Sequence, residues 1–542
     1  MRRTRRRSRD LTPRRGRALA PQRRRALVLP VLLATGLLAT ACGAGPSLRP
    51  GVAVEHPHAG GAAATTSVAA APAVPAPQAP KHDLTWHDCA ATTFDQLGLG
   101  AAPAGVVFEC AEYATPIDSG GAIMGTFRTA VARARAPQTP AGAAPLLLTS
   151  GGDRSSIATL AGLVAGPAPA VLAAHPIVAV DRRGIGGSQP IDCLPADTHR
   201  QLADAGQFAT GGGDPVDAMA KLSQDATIAC QDFLQPYQGT FDAAHAADDI
   251  DALRRQWQVD TIALLGTGNG ARVALAYAAK YGPHLGRLVL DSPEAVNTDT
   301  ATRAEQRVKG AEAALTAFAQ RCVATSCALG PDPRAAVTDL IRRAAAGDLG
   351  DLSAGALVTT VSGFLGDPRA DQDAHIAELA DALAAAGRGD RGPLGKLTLR
   401  ESAAVAADGQ FVTRCSDSQQ PATPAHAKDL ETTWGTQYPA FGRVAAARLM
   451  TCTAWPVPTP PPVPATLTLP VLILGNTADP VTGGDGRPSV TGALGVAGAR
   501  TATVTWQGWG HPTFTHSACV QQNLTGYLDD AGLPADGSAC PA

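Results

Sequence analysis

Residues 262–281 read IALLGTGNGARVALAYAAKY, and the change of pattern within this stretch decides the fold. The first four residues form an uninterrupted apolar run, which is typical of a buried strand, whereas the last eleven are helix formers with amphipathic spacing. The turn between them, residues 266–270, reads GTGNG, and its glycines allow a strand to pass directly into a helix. A strand, a tight turn and a helix in this order predict a parallel α/β sheet.

Short apolar runs elsewhere extend this unit into a sheet. Further strands are predicted at residues 146–149, 177–180, 287–290, 471–474 and 502–506. Between residues 294 and 469 the sequence has no such run, and Ala-rich helical segments take its place. We therefore predict a mostly parallel, doubly wound α/β sheet with a helical cap inserted between its two halves.

The N-terminal segment has the pattern of an export signal rather than of a nucleic-acid-binding site. Twelve arginines lie between Arg2 and Arg25, with only Asp10 against them, and residues 26–41 then read ALVLPVLLATGLLATA. A basic segment, an apolar stretch of this length and small residues at its end predict a secretory signal at residues 1–41. Without that segment the chain has 33 basic and 46 acidic residues, a net charge of −13, so we expect no nucleic-acid partner.

Cys42 follows the predicted signal directly. The sequence Leu-Ala-Thr-Ala-Cys at residues 38–42 resembles a bacterial lipobox, in which the cysteine is acylated and becomes the mature N-terminus. Acyl chains on Cys42 would hold the protein on the outer face of the bacterial cell membrane. The alternatives are an ordinary cleaved signal, which gives a secreted protein, and an uncleaved anchor. Residues 42–82 are rich in Ala, Gly and Pro and predict a flexible tether.

Ten further cysteines lie in the body of the chain, and an even number in an exported protein predicts disulfides. Pairing consecutive cysteines gives five local loops, although the sequence alone permits other pairings. The sequence has no Cys-x-x-Cys pair and no histidine-bearing metal motif, so we expect neither a metal nor a cofactor. The pairs expected are Cys89–Cys110, Cys193–Cys230, Cys322–Cys327, Cys415–Cys452 and Cys519–Cys540.

Four further motifs follow the tether in a defined order. They read DRRGIGGS at residues 181–188, LVLD at 288–291, LPVLILGNTADPVT at 469–482 and GWGH at 508–511. With these motifs, the sequence from about residue 85 to residue 540 resembles the α/β-hydrolases of the secreted tripeptidyl aminopeptidase type, which are related to the proline iminopeptidases. The resemblance implies an α/β-hydrolase fold with three parts: a first part of the core at residues 83–293, a cap at 294–468, and a second part of the core, the C-terminal region of this family, at 469–542.

The resemblance also places two members of a catalytic triad. In α/β-hydrolases the order along the chain is nucleophile, acid and histidine. Asp479 follows an apolar strand, and His511 lies 32 residues later in a glycine-containing loop. As the base, His511 would take the proton of the nucleophile and return it to the leaving group, while Asp479 would fix the imidazole tautomer. The alternative interpretation is a surface-loop histidine and a turn aspartate.

The nucleophile position departs from the family pattern. The elbow motif of these enzymes is G-x-S-x-G, in which a strained turn exposes the serine hydroxyl. This chain has G-T-G-N-G, with Gly268 at the position of the serine. Since glycine has no side chain, no acyl-enzyme can form there. Thr267 is adjacent, but neighbouring side chains on a sharp turn point in different directions, so we do not expect its hydroxyl to face His511.

The oxyanion loop is altered as well. The family usually has G-G-P-G after the third strand, whereas this chain has Gly151, Gly152, Asp153 and Arg154. The two glycines and the backbone of Asn269 would still allow an oxyanion hole to form. An aspartate near a developing oxyanion opposes it electrostatically, and Arg154 would either offset that charge or pair with Asp153.

Three hypotheses follow from these departures. The first is a monomeric, lipid-anchored pseudohydrolase that binds a peptide or another small ligand beneath the cap. The second is an active hydrolase that uses a water activated by His511 or a displaced nucleophile, for which the candidates are Ser155, Ser156, Ser292 and Ser517. The third is a cell-surface structural protein without a ligand, which a cleft filled by Arg154 or by cap side chains would favour.

Asp417 is a candidate ligand contact in the cap. The sequence Cys415-Ser416-Asp417 resembles the C-N-D segment in the cap of this family, with serine in place of asparagine. The resemblance implies that acidic residues of the cap hold the N-terminal amine of a peptide, so Asp417 is a candidate amine ligand. A solvated loop aspartate is the alternative interpretation.

Overall fold

The computed structural model describes residues 74–166, 169–208, 213–456 and 459–542, so the predicted signal and Cys42 lie outside the described residues. Within these ranges the chain forms one sheet of ten strands. The strands are β1 His87–Asp88, β2 Val107–Pro116, β3 Thr126–Arg135, β4 Leu146–Thr149, β5 Ile177–Val180, β6 Ile262–Thr267, β7 Leu285–Asp291, β8 Val471–Gly475, β9 Thr501–Trp506 and β10 Ser538–Cys540. Their order across the sheet is β1-β2-β3-β5-β4-β6-β7-β8-β9-β10.

Most neighbouring strands are parallel, which confirms the predicted sheet. Every pair from β5 across to β10 runs parallel, whereas β1, β2 and β3 pair antiparallel and β3 pairs antiparallel with β5. The six strands predicted from apolar runs are all present as β4 to β9. The hairpin of β2 and β3 was not predicted, because strand Thr126–Arg135 reads TFRTAVARAR and interrupts its apolar residues with arginine and threonine.

Within the described residues, eighteen α-helices cover the sheet and build the cap. Seven of them precede β7: α1 Ala90–Gln96, α2 Ser156–Ala165, α3 Ala170–Ala174, α4 Ala196–Ala203, α5 Pro215–Leu234, α6 Ala243–Trp257 and α7 Gly270–Tyr281. Eight lie between β7 and β8: α8 Thr300–Ala324, α9 Pro333–Ala345, α10 Ala354–Leu365, α11 Asp373–Gly387, α12 Gly392–Val405, α13 Asp408–Ser416, α14 Pro424–Gln437 and α15 Gly442–Arg448. The last three are α16 Arg487–Val496, α17 Thr513–His516 and α18 Ala518–Asp530.

Side chains of the central strands alternate between two hydrophobic clusters, one on each face of the sheet. In β6, Leu264 belongs to one cluster and Leu265 to the other, and in β7 Leu288 and Val289 do the same. This alternation follows from the two-residue period of a strand, and because both faces are covered, the strand sequence is apolar throughout.

The cap has a hydrophobic cluster of its own, which includes Leu315 of α8 and Phe364 of α10. The same cluster contains Val216, Met219 and Leu222 of α5, although the sequence assigned this segment to the first part of the core. The first half of α5 therefore packs with the cap helices, so the cap includes a second, earlier segment of the chain.

Residues 74–82, predicted as part of the tether, pack against the body of the protein. The backbone N–H of Gln78 donates to the carbonyl of Thr261 at 3.1 Å, and the N–H of Lys81 donates to the carbonyl of Trp257 at 3.0 Å. The predicted boundary at residue 82 is therefore too late. The proline-rich stretch is held in place because its backbone groups are hydrogen-bonded to the core.

The five predicted disulfides are all present. They join Cys89 to Cys110, Cys193 to Cys230, Cys322 to Cys327, Cys415 to Cys452 and Cys519 to Cys540. Among the described helices, none combines the length and the apolar character needed to cross a membrane.

Candidate functional site

The turn between β6 and α7 has the geometry of a nucleophile elbow. Gly268 has a φ of +54°, in the left-handed region that a residue with a side chain enters only at a cost. A methyl group on Gly270 would overlap the carbonyl oxygen of Thr149 at the end of β4, so only glycine permits this close approach. The N–H of Gly268 donates to the carbonyl of Asp291 at 2.9 Å, which fixes the turn against β7.

Asp479 and His511 meet at the same edge of the sheet. They follow the neighbouring parallel strands β8 and β9, whose carboxyl ends lie side by side. Nδ1 of His511 lies 2.8 Å from Oδ2 of Asp479, and both residues are buried. The other carboxylate oxygen accepts the N–H of Val481 at 2.8 Å and that of Thr482 at 3.0 Å. The structure thus brings together the two residues that the resemblance assigned to a triad.

In this pair, the Asp479 carboxylate and the His511 imidazole each stabilise the charged form of the other. Burial raises the pKa of Asp479, but the His511 imidazole and the two backbone N–H groups more than offset it, so the net shift is downward. Burial lowers the pKa of His511, but the carboxylates of Asp479, Asp153 and Asp291 together outweigh this effect and the net shift is upward. Asp479 therefore stays ionised and orients the ring, as a histidine base requires.

The carboxylate of Asp153 occupies the place of the missing serine. A methyl group on Gly268 would lie 3.1 Å from Nε2 of His511, so a serine at this position would reach the imidazole. The same methyl group would overlap Oδ2 of Asp153. Oδ2 also accepts a hydrogen bond from the backbone N–H of Asn269, the residue after the nucleophile position. In an active α/β-hydrolase that N–H binds the oxyanion, so here a side chain of the protein takes the place of the substrate.

The other expected oxyanion donor is engaged too. The N–H of Gly152 donates to Oδ1 of Asn269 at 2.8 Å, and Arg182 donates to the same oxygen at 3.1 Å. Gly151 lies against the elbow, where a methyl group would come within 2.5 Å of the nitrogen of Gly270. The three backbone N–H groups predicted for the oxyanion loop, those of Gly151, Gly152 and Asn269, therefore all have partners within the protein.

The pKa of Asp153 is raised above that of an ordinary aspartate. Burial and the negative charge of Glu294 raise the pKa of Asp153 to about 6, against the opposing effects of Arg307, the Asn269 N–H and His511. Glu294 itself is ion-paired with Arg272 at 3.0 Å and with Arg307. Despite burial, these arginines hold the pKa of Glu294 at about 2. At pH 7 Asp153 is therefore mostly ionised, and it places negative charge where the oxyanion of a transition state would form.

Arg154 does not pair with Asp153, contrary to one of the two alternatives given for it. Its guanidinium extends into the cap, where it donates to the carbonyl of Gly363 at 3.0 Å and to Glu401 at 3.2 Å. Arg154 therefore links the oxyanion loop to the cap through its ion pair with Glu401, a buried residue of α12.

The carboxylate of Asp417 is fully engaged. It accepts a hydrogen bond from Arg182 at 2.8 Å and one from the N–H of Ala243 at 2.8 Å, and the residue is only 3% exposed. The burial excludes the solvated interpretation, whereas the amine-binding interpretation stays a prediction, because Asp417 forms part of the cavity wall. Because Arg182 also donates to Asn269, Asp417 links the cap to the elbow.

The hydroxyls considered as displaced nucleophiles all have structural partners. Thr267 is buried and donates to Oγ of Ser150 at 3.1 Å, away from the imidazole. Ser155 and Ser517 accept backbone N–H groups at the first residues of α2 and α18, respectively. Ser156 accepts the N–H of Ser150, and Ser292 donates to Asp291. In the part of the chain that the structure describes, none of these five hydroxyls is hydrogen-bonded to His511.

A cavity of about 330 Å³ lies between the cap and this edge of the sheet, and Asp153, Asn269 and His511 form part of its wall. The cleft is open, so the filled cleft that would favour a ligand-free structural protein is absent from the described part of the chain. Within the same residues, no group of three His, Cys, Asp or Glu side chains is placed to hold a metal ion. Six arginines line the cavity, and only Arg154 among them was considered from the sequence. The other five are Arg272, Arg303, Arg307, Arg414 and Arg448.

The sheet order, the elbow after β6 and the Asp–His pair after β8 and β9 define an α/β-hydrolase fold. In agreement, residues 162–336 match the α/β hydrolase fold family, and residues 438–540 match the family described as TAP-like protein. The chain is also 24% identical over 397 residues to the serine protease Hip1 of Mycobacterium tuberculosis and of Mycobacterium bovis. This match covers 67% of the chain and 74% of the relative, and it makes the chain a distant homologue of a mycobacterial serine protease.

Solved structures of hydrolases show a weaker likeness. A thermophilic esterase from Thermogutta terrifontis is 14% identical, with 77% of this chain and 97% of the esterase covered and a TM-score of 0.34. Epoxide hydrolase A from Mycobacterium thermoresistibile is 18% identical, with 79% and 100% covered and a TM-score of 0.32.

Proposed function

We propose that this chain is an exported, lipid-anchored pseudohydrolase that binds a peptide or another small ligand in the cap cavity. It retains the fold and the Asp479–His511 pair of a serine hydrolase but carries out no serine-based turnover. Acylation of Cys42 would hold it on the outer face of the cell membrane, with the cavity outside the cell.

The position of Asp153 carries this proposal. Loss of the serine at Gly268 removes the nucleophile, and in addition the Asp153 carboxylate takes the oxyanion N–H of Asn269. Each change acts on a different part of the catalytic apparatus, and both oppose acyl transfer. The open cavity beside them remains large enough for a small ligand.

A second candidate function is hydrolysis by an activated water. The observation in its favour is that Asp153, with its pKa raised to about 6, and His511 both border the cavity at the nucleophile position. Either group would then take a proton from water, as a general base does. The engaged oxyanion donors make this the weaker candidate.

The proposal predicts that the full-length protein, extracted from membranes, is inert. We expect no labelling by a fluorophosphonate probe, because no activated hydroxyl faces His511. We also expect cleavage of aminoacyl and tripeptidyl chromogenic substrates no faster than by the His511→Ala variant. Turnover by the wild type that is abolished in His511→Ala would contradict the proposal, and its additional loss in Asp153→Asn would establish the second candidate instead.

The anchor is tested separately by fractionation of cells that express the full chain. The wild type is expected in the membrane fraction and the Cys42→Ser variant in the medium, because the thiol that carries the acyl chains is removed. A matched substitution within the tether, Ser47→Ala, should leave the protein in the membrane fraction. Retention of Cys42→Ser by the membrane would show that something other than the lipid holds the protein there.

A further inference from the structure

Within the described ranges, only three of the six arginines that line the cap cavity form an ion pair with a carboxylate. Arg154 pairs with Glu401, whereas Arg272 and Arg307 share Glu294. Among the residues that the structure describes, no carboxylate forms an ion pair with the remaining three, which are Arg303, Arg414 and Arg448.

These three arginines line the cavity from different cap helices, and the guanidinium of Arg303 also donates to the carbonyls of Thr298 and Gln419. Arg303 lies in α8, Arg414 in α13 and Arg448 at the end of α15. Arg448 is oriented by hydrogen bonds to the carbonyl of Gly355 at 2.9 Å and to Oγ1 of Thr359 at 2.6 Å. The guanidinium of Arg414 makes no hydrogen bond to any residue in the described ranges and is open to the cavity.

Two pairs of cations in the cavity wall are close enough to repel each other: Arg303 with Arg272, and Arg448 with Arg414. Burial and the charge of Arg272 lower the pKa of Arg303 to about 10, and burial and the charge of Arg414 lower the pKa of Arg448 to about 10. Both side chains nevertheless keep their proton at neutral pH. Like charges in a partly desolvated space raise the free energy of the protein, and a bound anion would lower it again.

Apolar side chains make up much of the remaining wall. They come from α8, α10, α13 and the region of α15, and include Val308, Val358, Phe411, Phe441 and Leu449. A ligand that matches both the arginines and the apolar wall has an anionic group at one end and an apolar body.

We infer that the cap cavity binds an organic anion, whose carboxylate or phosphate group is held by Arg303, Arg414 and Arg448. The inference rests on the proposed ligand-binding function and names the class of ligand. Guanidinium groups match carboxylate and phosphate oxygens through paired N–H donors. The family resemblance implies a ligand with a positively charged amine, whereas this cavity would bind a negatively charged group. In agreement, the Asp417 carboxylate, the candidate amine ligand, already pairs with Arg182 and the N–H of Ala243.

Two fluorescent probes that differ only in a sulfonate group test the inference on the full-length protein. They are N-phenyl naphthylamine, which is neutral, and anilinonaphthalene sulfonate. We expect the sulfonate to bind about tenfold more tightly than the neutral probe, and Arg414→Ala to remove that advantage without changing the affinity for the neutral probe. Arg414 is suited to this test because its removal breaks no hydrogen bond to a described residue. The control, Arg388→Ala, removes an exposed arginine just after α11 and should change neither affinity.

Displacement of the sulfonate probe identifies the anionic group. Heptanoate and hexyl phosphate are expected to displace it, and hexylamine is not; the more effective of the two anions names the preferred group. Equal affinity for the two probes, or an unchanged affinity of Arg414→Ala for the sulfonate, would overturn the inference while leaving ligand binding intact. Failure of both probes to bind would instead overturn the proposed ligand-binding function.

Discussion

Replacing Gly268 by serine and Asp153 by alanine in the same chain is expected to create a reactive serine. The Gly268→Ser/Asp153→Ala protein should react with a fluorophosphonate probe about a thousandfold faster than the wild type. Loss of a triad nucleophile lowers the catalytic rate about a millionfold, and we expect the new serine to recover only part of that rate. The reason is geometric: the Cβ at position 268 would lie 3.1 Å from Nε2 of His511, which is already paired with Asp479.

The single variant Gly268→Ser should react far more slowly than the double variant. The new Cβ overlaps Oδ2 of Asp153, and the carboxylate still competes for the N–H of Asn269. Because loss of one oxyanion donor lowers the reaction rate about a hundredfold or more, we expect the labelling rates of the two proteins to differ by about that factor.

Mass spectrometry of the intact protein measures the rates of probe labelling and tests both expectations. The matched control is Gly268→Ala/Asp153→Ala, which has the same backbone and the same vacated loop but no hydroxyl and should stay unlabelled. A double variant that folds normally and remains as unreactive as this control would show that the inferred triad geometry is wrong.

Replacing Arg183 by alanine is expected to lower the free energy of unfolding by about 4 kcal/mol. Arg183 is 1% exposed and pairs with Asp249 through two hydrogen bonds, of 2.9 Å and 2.6 Å. It also donates to the carbonyls of Ile117, Thr240 and Pro116. Without Arg183, the buried carboxylate and three carbonyls lose their partner, and urea-induced unfolding followed by tryptophan fluorescence measures the loss.

An exposed ion pair supplies the comparison. Arg321 pairs with Asp373, but the two side chains are 50% and 61% exposed, so Arg321→Ala should cost less than about 1 kcal/mol. The variant Arg183→Met/Asp249→Leu removes both buried charges and should recover much of the loss. Similar stabilities of Arg183→Ala and Arg321→Ala would refute the structural role assigned to Arg183.

The parts of the fold and site that could be predicted from the sequence depend on local patterns. The apolar runs before Gly266, Asp479 and His511 predict strands, and parallel strands place the residues that follow them at one edge of the sheet. The relation between Asp479 and His511 could therefore be inferred although 32 residues separate them. The disulfides were predicted correctly because each joins consecutive cysteines in the chain.

Features that depend on packing between distant segments could not be predicted. The sequence shows that Asp153 replaces a proline of the family pattern, but not that its carboxylate reaches the N–H of Asn269, 116 residues away. Arg303, Arg414 and Arg448 lie on three helices, and an arginine at such a position fits a solvent-facing helix surface equally well. Their common cavity follows only from how the cap helices pack.

The backbone of Gly268 has a consequence for stability. Its left-handed φ of +54° suits glycine, whereas a serine in the same conformation costs about 1 kcal/mol. Serine hydrolases of this fold accept that strain because it exposes the hydroxyl, which is one form of the trade-off between stability and activity. In this chain glycine removes the strain, so the turn between β6 and α7 keeps the geometry of the elbow without its conformational cost.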